Sequence, residues 1–301
     1  MKVIAIATIK GGVGKTILST HLAAALARNG QKTLLLDLDP QGHATALAGI
    51  DAHPEAFCVG DVLLRESRLK LDDILVRELR PNLDVAPAVL KMAAQERQLY
   101  AWALRLKTVR RALDSLERKP DVVVIDCPPH IGGFTEAALH ASDLTLAPVP
   151  ALAGSTQGLE DLRSTWAEMR DGRVGHLACV VNLWDQRTSV TNALVSEMLE
   201  ASEVPVLDTK IPKSEVVNQA ALKQSLVFDH APTHPVAKAF DRLAQETWQL
   251  LCDHDDALDE QDGLSTSDLG QWIHEALEPS RSWAVPAEAM LAADGYSVIQ
   301  D

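Results

Sequence analysis

The chain has 301 residues, 47% of them hydrophobic, which is enough apolar side chain for a sizeable core in one large domain or two ordinary ones. Its four cysteines (Cys58, Cys127, Cys179, Cys252) form no C-x-x-C pair, which argues against a zinc site or disulfide framework and makes a reducing cytoplasm the expected setting. The net charge of −14 is uneven: from Asp253 onward 12 acidic residues face one Arg, leaving 30 acidic and 27 basic residues before it, a balance of −3 that leaves room for a local basic patch.

Aromatic residues are scarce at 4%, while Ala, Leu and Val dominate, a composition suited to helices packed on a buried parallel sheet. No apolar run approaches the roughly 18 residues of a membrane span. The N-terminus enters a strand with no charged region and cleavage site before it, so a soluble, unprocessed protein is expected.

The first element reads "KVIAIATIKGGVGKTILSTHLAAALA": a strand over 2–8, a glycine loop, and a helix over 16–29. The general phosphate-loop pattern G-x-x-x-x-G-K-[ST] would require glycine at position 9, where Ile9 stands, and a second lysine, Lys10, follows it. Gly11, Gly12 and Gly14 let backbone N–H groups approach phosphate oxygens that a side chain would fend off. The run Lys10, Gly11, Gly12, Val13, Gly14, Lys15, Thr16, Ile17 is therefore the candidate phosphate cradle, ending on a helix N-terminus. Lys15 supplies a charge to the β and γ phosphates, and the Thr16 hydroxyl is a candidate Mg²⁺ ligand.

The next apolar run, 32–39, ends in Asp37 and Asp39, two residues apart and hence on one face, at the strand edge where open α/β sheets bind ligands. A carboxylate there can orient a water or hold magnesium. A strand over 83–88 and a helical stretch over 91–117 follow, and then "DVVVIDCPPHIGG", a strand over 121–128 that places Asp126 as a Walker B carboxylate reaching Mg²⁺ through its water shell. Helices over 134–141, 156–170 and 188–201 alternate with strands over 143–150 and 176–183, and a helix over 235–251 closes the domain. The expected domain boundary falls at 252. Beyond it, "DHDDALDEQDG" (253–263) reads as a solvated linker, and Leu269, Trp272, Ile273, Ala276 and Leu277 mark a short amphipathic helix with an acidic polar face.

Together, "KGGVGKT", "LLLDLDPQG" and "VVVIDCPP" at these separations resemble the ParA/MinD family of deviant Walker ATPases, most strongly its ParA and Soj branch, from residue 1 to about 250. "LAPVPA" and "IPKSEVVNQA" add weaker matches. The resemblance implies a P-loop NTPase fold, a mostly parallel central sheet with helices on both faces, and hydrolysis of ATP with Mg²⁺. It gives Lys10 a purpose: in that family this lysine reaches the nucleotide of the opposite protomer, so that two ATPs are sandwiched in a homodimer. Lys10, Lys15 and Asp39 become the catalytic residues, with Asp39 positioning the attacking water. Thr16, Asp37 and Asp126 become the metal-side residues, and Asn182 and Pro212 fall where relatives contact adenine.

Relatives keep a second hydroxyl where this chain has Ile17, which implies weaker nucleotide affinity, by roughly 1.5–3 kcal/mol for one hydrogen bond to a charged group. His43 and His130 also stand where relatives carry other residues. The resemblance implies a cytoplasmic, nucleoid-associated positioning switch: an ATP dimer that binds DNA without sequence preference, released when a ParB-like or other cargo adaptor stimulates hydrolysis. The cargo is a plasmid or chromosome, or alternatively a body such as a carboxysome or chemotaxis cluster. The usual arginine patch is thinned to Lys213, with Val216 and Ser225 beyond it; Arg187, Lys223, Lys238, Arg242 and the cluster Arg105, Lys107, Arg110, Arg111, Arg118, Lys119 are the other cations available. A MinD-like membrane switch would end in a basic amphipathic helix, and this tail is acidic. An iron protein would need a cysteine where Gly133 stands, and a small-molecule ligase shares the fold with no substrate residues to mark it here.

Overall fold

The computed structural model describes residues 1–102, 104–152, 157–170 and 175–261. The chain divides into one unit, Met1–Cys252, and a second, Asp253–Asp301. The strands are β1 (Lys2–Ile6), β2 (Thr33–Asp37), β3 (Val76–Arg80), β4 (Leu83–Ala86), β5 (Val122–Asp126), β6 (Leu144–Pro150) and β7 (His176–Asn182), in one sheet of order β3-β4-β2-β5-β1-β6-β7. All neighbours run parallel except β3 against β4.

The helices are α1 (Lys15–Arg28), α2 (His43–Leu47), α3 (Val59–Leu63), α4 (Met92–Tyr100), α5 (Thr108–Asp114), α6 (Gly133–Ala141), α7 (Gln157–Arg170), α8 (Ser189–Glu200), α9 (Glu215–Leu222), α10 (Val227–His230) and α11 (Pro235–Gln261). Successive strand residues face opposite sides, so the sheet builds two cores. On one face Val3, Ala5, Leu34, Leu36, Val123 and Ile125 meet Met92, Phe134 and Leu162 from α4, α6 and α7. On the other, Ile4, Ile6, Leu35 and Val124 meet Leu18 and Leu22 of α1 and Phe240 of α11. Burial on both faces is why these strands read as unbroken apolar runs.

The structure departs from the sequence reading in the short helices α2, α3, α9 and α10, which that reading did not contain, and in three longer stretches. The stretch 91–117 is two helices, and between them Arg105 pairs with the buried Glu136 of α6, Nε to Oε2 at 2.6 Å, and lies over the Tyr100 ring. Strand β3, "VRELR", went unread because its sequence is charged; it is an edge strand that pairs with β4 alone. The expected linker from 253 is helical as far as Gln261, since propagation from the preceding turns of α11 is cheap for Ala257, Leu258 and Glu260. The amphipathic stretch at 269–277 lies outside the described residues.

Candidate active site

Register brings the site together. Asp126 is the cross-strand partner of both Ile6 and Asp37, so the ends of β1, β2 and β5 lie side by side. From Ile6 the chain turns through Thr8–Gly14 into α1, at the carboxyl edge of the sheet where the strand order reverses. Two loop residues need glycine's freedom: Gly12 at φ 74° and Gly14 at φ 85°. A Cβ on Gly14 would also stand 2.6 Å from Asn182 Nδ2.

Lys15, the first residue of α1, is buried, and its Nζ donates to the Lys10 carbonyl at 3.4 Å. Burial lowers its pKa, while Asp126, Cys127 and Asp39 act to raise it. One turn on, the Ser19 hydroxyl donates to Asp126 Oδ1 at 2.9 Å, and the Thr16 hydroxyl stands against the same carboxylate. Asp126 is fully buried, which pushes its carboxyl well above the ordinary range, and its Oδ2 has no hydrogen-bond partner. A buried carboxylate with one orphan oxygen beside a hydroxyl suits magnesium, and the neighbouring Lys15 ammonium suits the phosphates that accompany it. That ion is commonly held by one or two carboxylates, with waters and substrate phosphates completing its shell. Among the described residues there is no group of three or more His, Cys, Asp or Glu placed to hold a metal.

Asp37, expected on the metal side, is buried at the end of β2 and bonds to the segment that follows it. Its Oδ1 accepts the Asp39 N–H at 3.1 Å, and its Oδ2 accepts the N–H of Thr45 at 2.8 Å and its hydroxyl at 2.7 Å. Both oxygens thus help hold the segment from Asp39 to Thr45. Burial, then the neighbouring Asp126, raises its pKa. Asp39 is buried, and its Oδ1 caps the turn by accepting the Gln41 N–H at 2.9 Å.

Asn182, last in β7, donates from Nδ2 to the Val13 carbonyl at 2.7 Å, while Pro212 is bridged to Trp184 beside the same strand end. Both thus lie at the phosphate-loop edge. Lys10 is half-buried, with its N–H on Thr8 Oγ1 at 3.3 Å and its Cβ beside Gly158 of α7. Ile17 turns its side chain onto the second core and is thus part of α1 packing. Its carbonyl receives His21 Nδ1 at 2.7 Å. His130 pairs with Glu96 at 3.2 Å, and His43 is exposed. Sequence reasoning missed Ser19, Thr45 and His21. Only Ser19 had a signal, its place one helical turn beyond Lys15.

A family model described as an AAA domain matches residues 1–178. Sporulation initiation inhibitor protein Soj of Bacillus subtilis is 33% identical over 248 residues, 81% of this chain and 97% of its own length. Chromosome-partitioning ATPase Soj of Thermus thermophilus is 32% identical over 81% of this chain and 94% of its length. A crystal structure of cobyrinic acid a,c-diamide synthase from Mycobacterium smegmatis with bound ADP and magnesium superposes with a TM-score of 0.70 at 28% identity, covering 81% of this chain and 93% of that one. With the parallel sheet, the glycine loop and the Lys15, Thr16 and Asp126 constellation in place, this chain belongs to the ParA/MinD family of P-loop ATPases, on its ParA/Soj branch.

Proposed function

We propose that the chain is an ATP-driven positioning switch, in which two copies close around two Mg·ATP, bind nucleoid DNA without sequence preference, and separate when a cargo-bound adaptor triggers hydrolysis. The observation that carries the chemistry is the buried, half-satisfied Asp126 carboxylate beside Thr16 and Lys15. Asp126 and Thr16 would hold magnesium there, and its charge would offset that developing on the transferred phosphoryl group. Lys15 leaves the Lys10 carbonyl for the β and γ phosphates. Asp39, on the segment that Asp37 and Thr45 hold still, orients the attacking water. Lys10 answers the partner protomer's phosphates, so that closure depends on the γ-phosphate.

The expected basic surface is narrower than a count of cations suggests. Arg187 is bound at both ends by Asp185, Arg105 by Glu136, and Arg110 pairs with Asp114. Arg111 lies over Trp102, and Lys119 donates to the last carbonyls of α5. Lys213, Lys223, Lys238 and Arg242 are exposed, and these are the residues we place on phosphates. Dimerisation doubles the patch, and phosphate contacts add steeply with falling salt. Gel shifts at low salt with a nonhydrolysable ATP analogue test this: ATP-dependent retardation is expected, and its absence from an intact dimer would overturn the DNA reading. No helix among the described residues is long and apolar enough to cross a membrane. The cargo is DNA in the reading supported by the chromosome-partitioning relatives.

A further inference from the structure

Asn182 is 3% exposed, and both ends of its side-chain amide are committed. Nδ2 donates to the Val13 carbonyl at 2.7 Å, and Oδ1 accepts the Leu183 N–H at 2.9 Å. The opposite amide orientation would set oxygen against oxygen and N–H against N–H, so the chemistry fixes which end is which. Leu183 sits at φ 54°, an uncommon conformation for a branched side chain, and the bond to its N–H holds the turn that leaves β7. The loop comes so near that only glycine fits at position 14.

The Val13 carbonyl and the Gly14 N–H belong to one trans peptide plane and point in opposite directions. Drawing the carbonyl toward β7 therefore turns the Gly14 N–H away from it. We infer that Asn182 is a positioning residue for phosphate binding: it sets the Val13–Gly14 peptide so that the Gly14 N–H is presented to the phosphate oxygens beside Lys15 and Thr16. This action needs no base, though the second Nδ2 proton leaves a base contact open as well. The role rests on the reading of Gly11–Thr16 as the phosphate cradle. It joins the end of β7 to a loop 169 residues earlier, so the two ends of the site move as one piece.

Isothermal titration of the full chain with Mg·ATP and, separately, with inorganic tripolyphosphate separates the two roles. Asn182→Ala is expected to weaken both probes in parallel, by about tenfold, the equivalent of about 1.4 kcal/mol for one hydrogen bond. Asn182→Asp is expected to be worse, since it sets a carboxylate oxygen against the Val13 carbonyl. Variants that lose ATP affinity and keep tripolyphosphate affinity would overturn the inference in favour of a base contact. Should the variants not fold, the wild type decides: the Gly14 amide resonance must shift on addition of tripolyphosphate, and a Gly14 amide that stays put while that of Lys15 moves would refute the role. A wild type that binds neither probe would instead break the cradle reading itself.

Discussion

His21 makes the stability of the phosphate-loop helix depend on pH. The ring is buried on α1, with Nδ1 donating to the Ile17 carbonyl at 2.7 Å and Nε2 accepting the Val227 N–H of α10 at 3.0 Å. It stacks on Phe240, ring centres 4.6 Å apart. Only the neutral ring can both donate and accept in this way, and burial lowers its pKa from 6.5 to about 4, with the Ile17 carbonyl and Asp229 opposing the shift and Arg80 adding to it. The native state therefore refuses a proton that the unfolded chain accepts below pH 6.5, so stability is intact above that pH and lost as pH falls toward about 4. At about 1.4 kcal/mol per pH unit, the loss from this one group is about 2 kcal/mol at pH 5 and about 3 kcal/mol near pH 4. Urea unfolding followed by circular dichroism at pH 7, 6 and 5, on wild type and His21→Gln, isolates it, because the carboxylates common to both cancel. The variant is expected to be less stable at pH 7, with the gap closing by about 2 kcal/mol at pH 5. A gap that stays constant across this range would refute the reasoning.

Two substitutions probe the chemistry. Asp126→Asn leaves an oxygen for Ser19 and removes the charge proposed to meet the metal; the Mg²⁺ needed for half-maximal phosphate release is expected to rise about 10–100-fold, and an unchanged titration would count against Asp126 as the metal-side group. Asp39→Ala removes the carboxylate proposed to orient the water, so turnover should collapse while an ATP-dependent dimer persists on size exclusion; normal phosphate release would exclude that role for Asp39.

The legible parts of this chain are those whose causes are local. Six apolar runs became strands, since a strand buried on both faces must be apolar throughout. The glycine loop, Lys15 and Thr16 are adjacent in sequence, and Asp126 stands at a strand end, so their meeting follows once β1 and β5 pair. What stayed hidden depends on distant partners. Ser19 finds Asp126 across 107 residues, and His21 finds Val227 across 206, at positions that read only as small or polar residues in a helix. Asp37 is legible as a strand-end carboxylate, whereas its bond from the Thr45 hydroxyl, which also accepts the Ala88 N–H, depends on how α2 folds back. Edge strand β3 lacks the apolar signal because its residues are exposed or half-buried.

The central claim is that a second subunit completes the phosphate site through Lys10, and light scattering on the size-exclusion peak with a nonhydrolysable ATP analogue tests it most directly. Wild type should run as a dimer with the analogue and as a monomer with ADP. Lys10→Ala should stay monomeric with the analogue while still binding nucleotide. A Lys10→Ala protein that dimerises and hydrolyses ATP as wild type does would contradict the account.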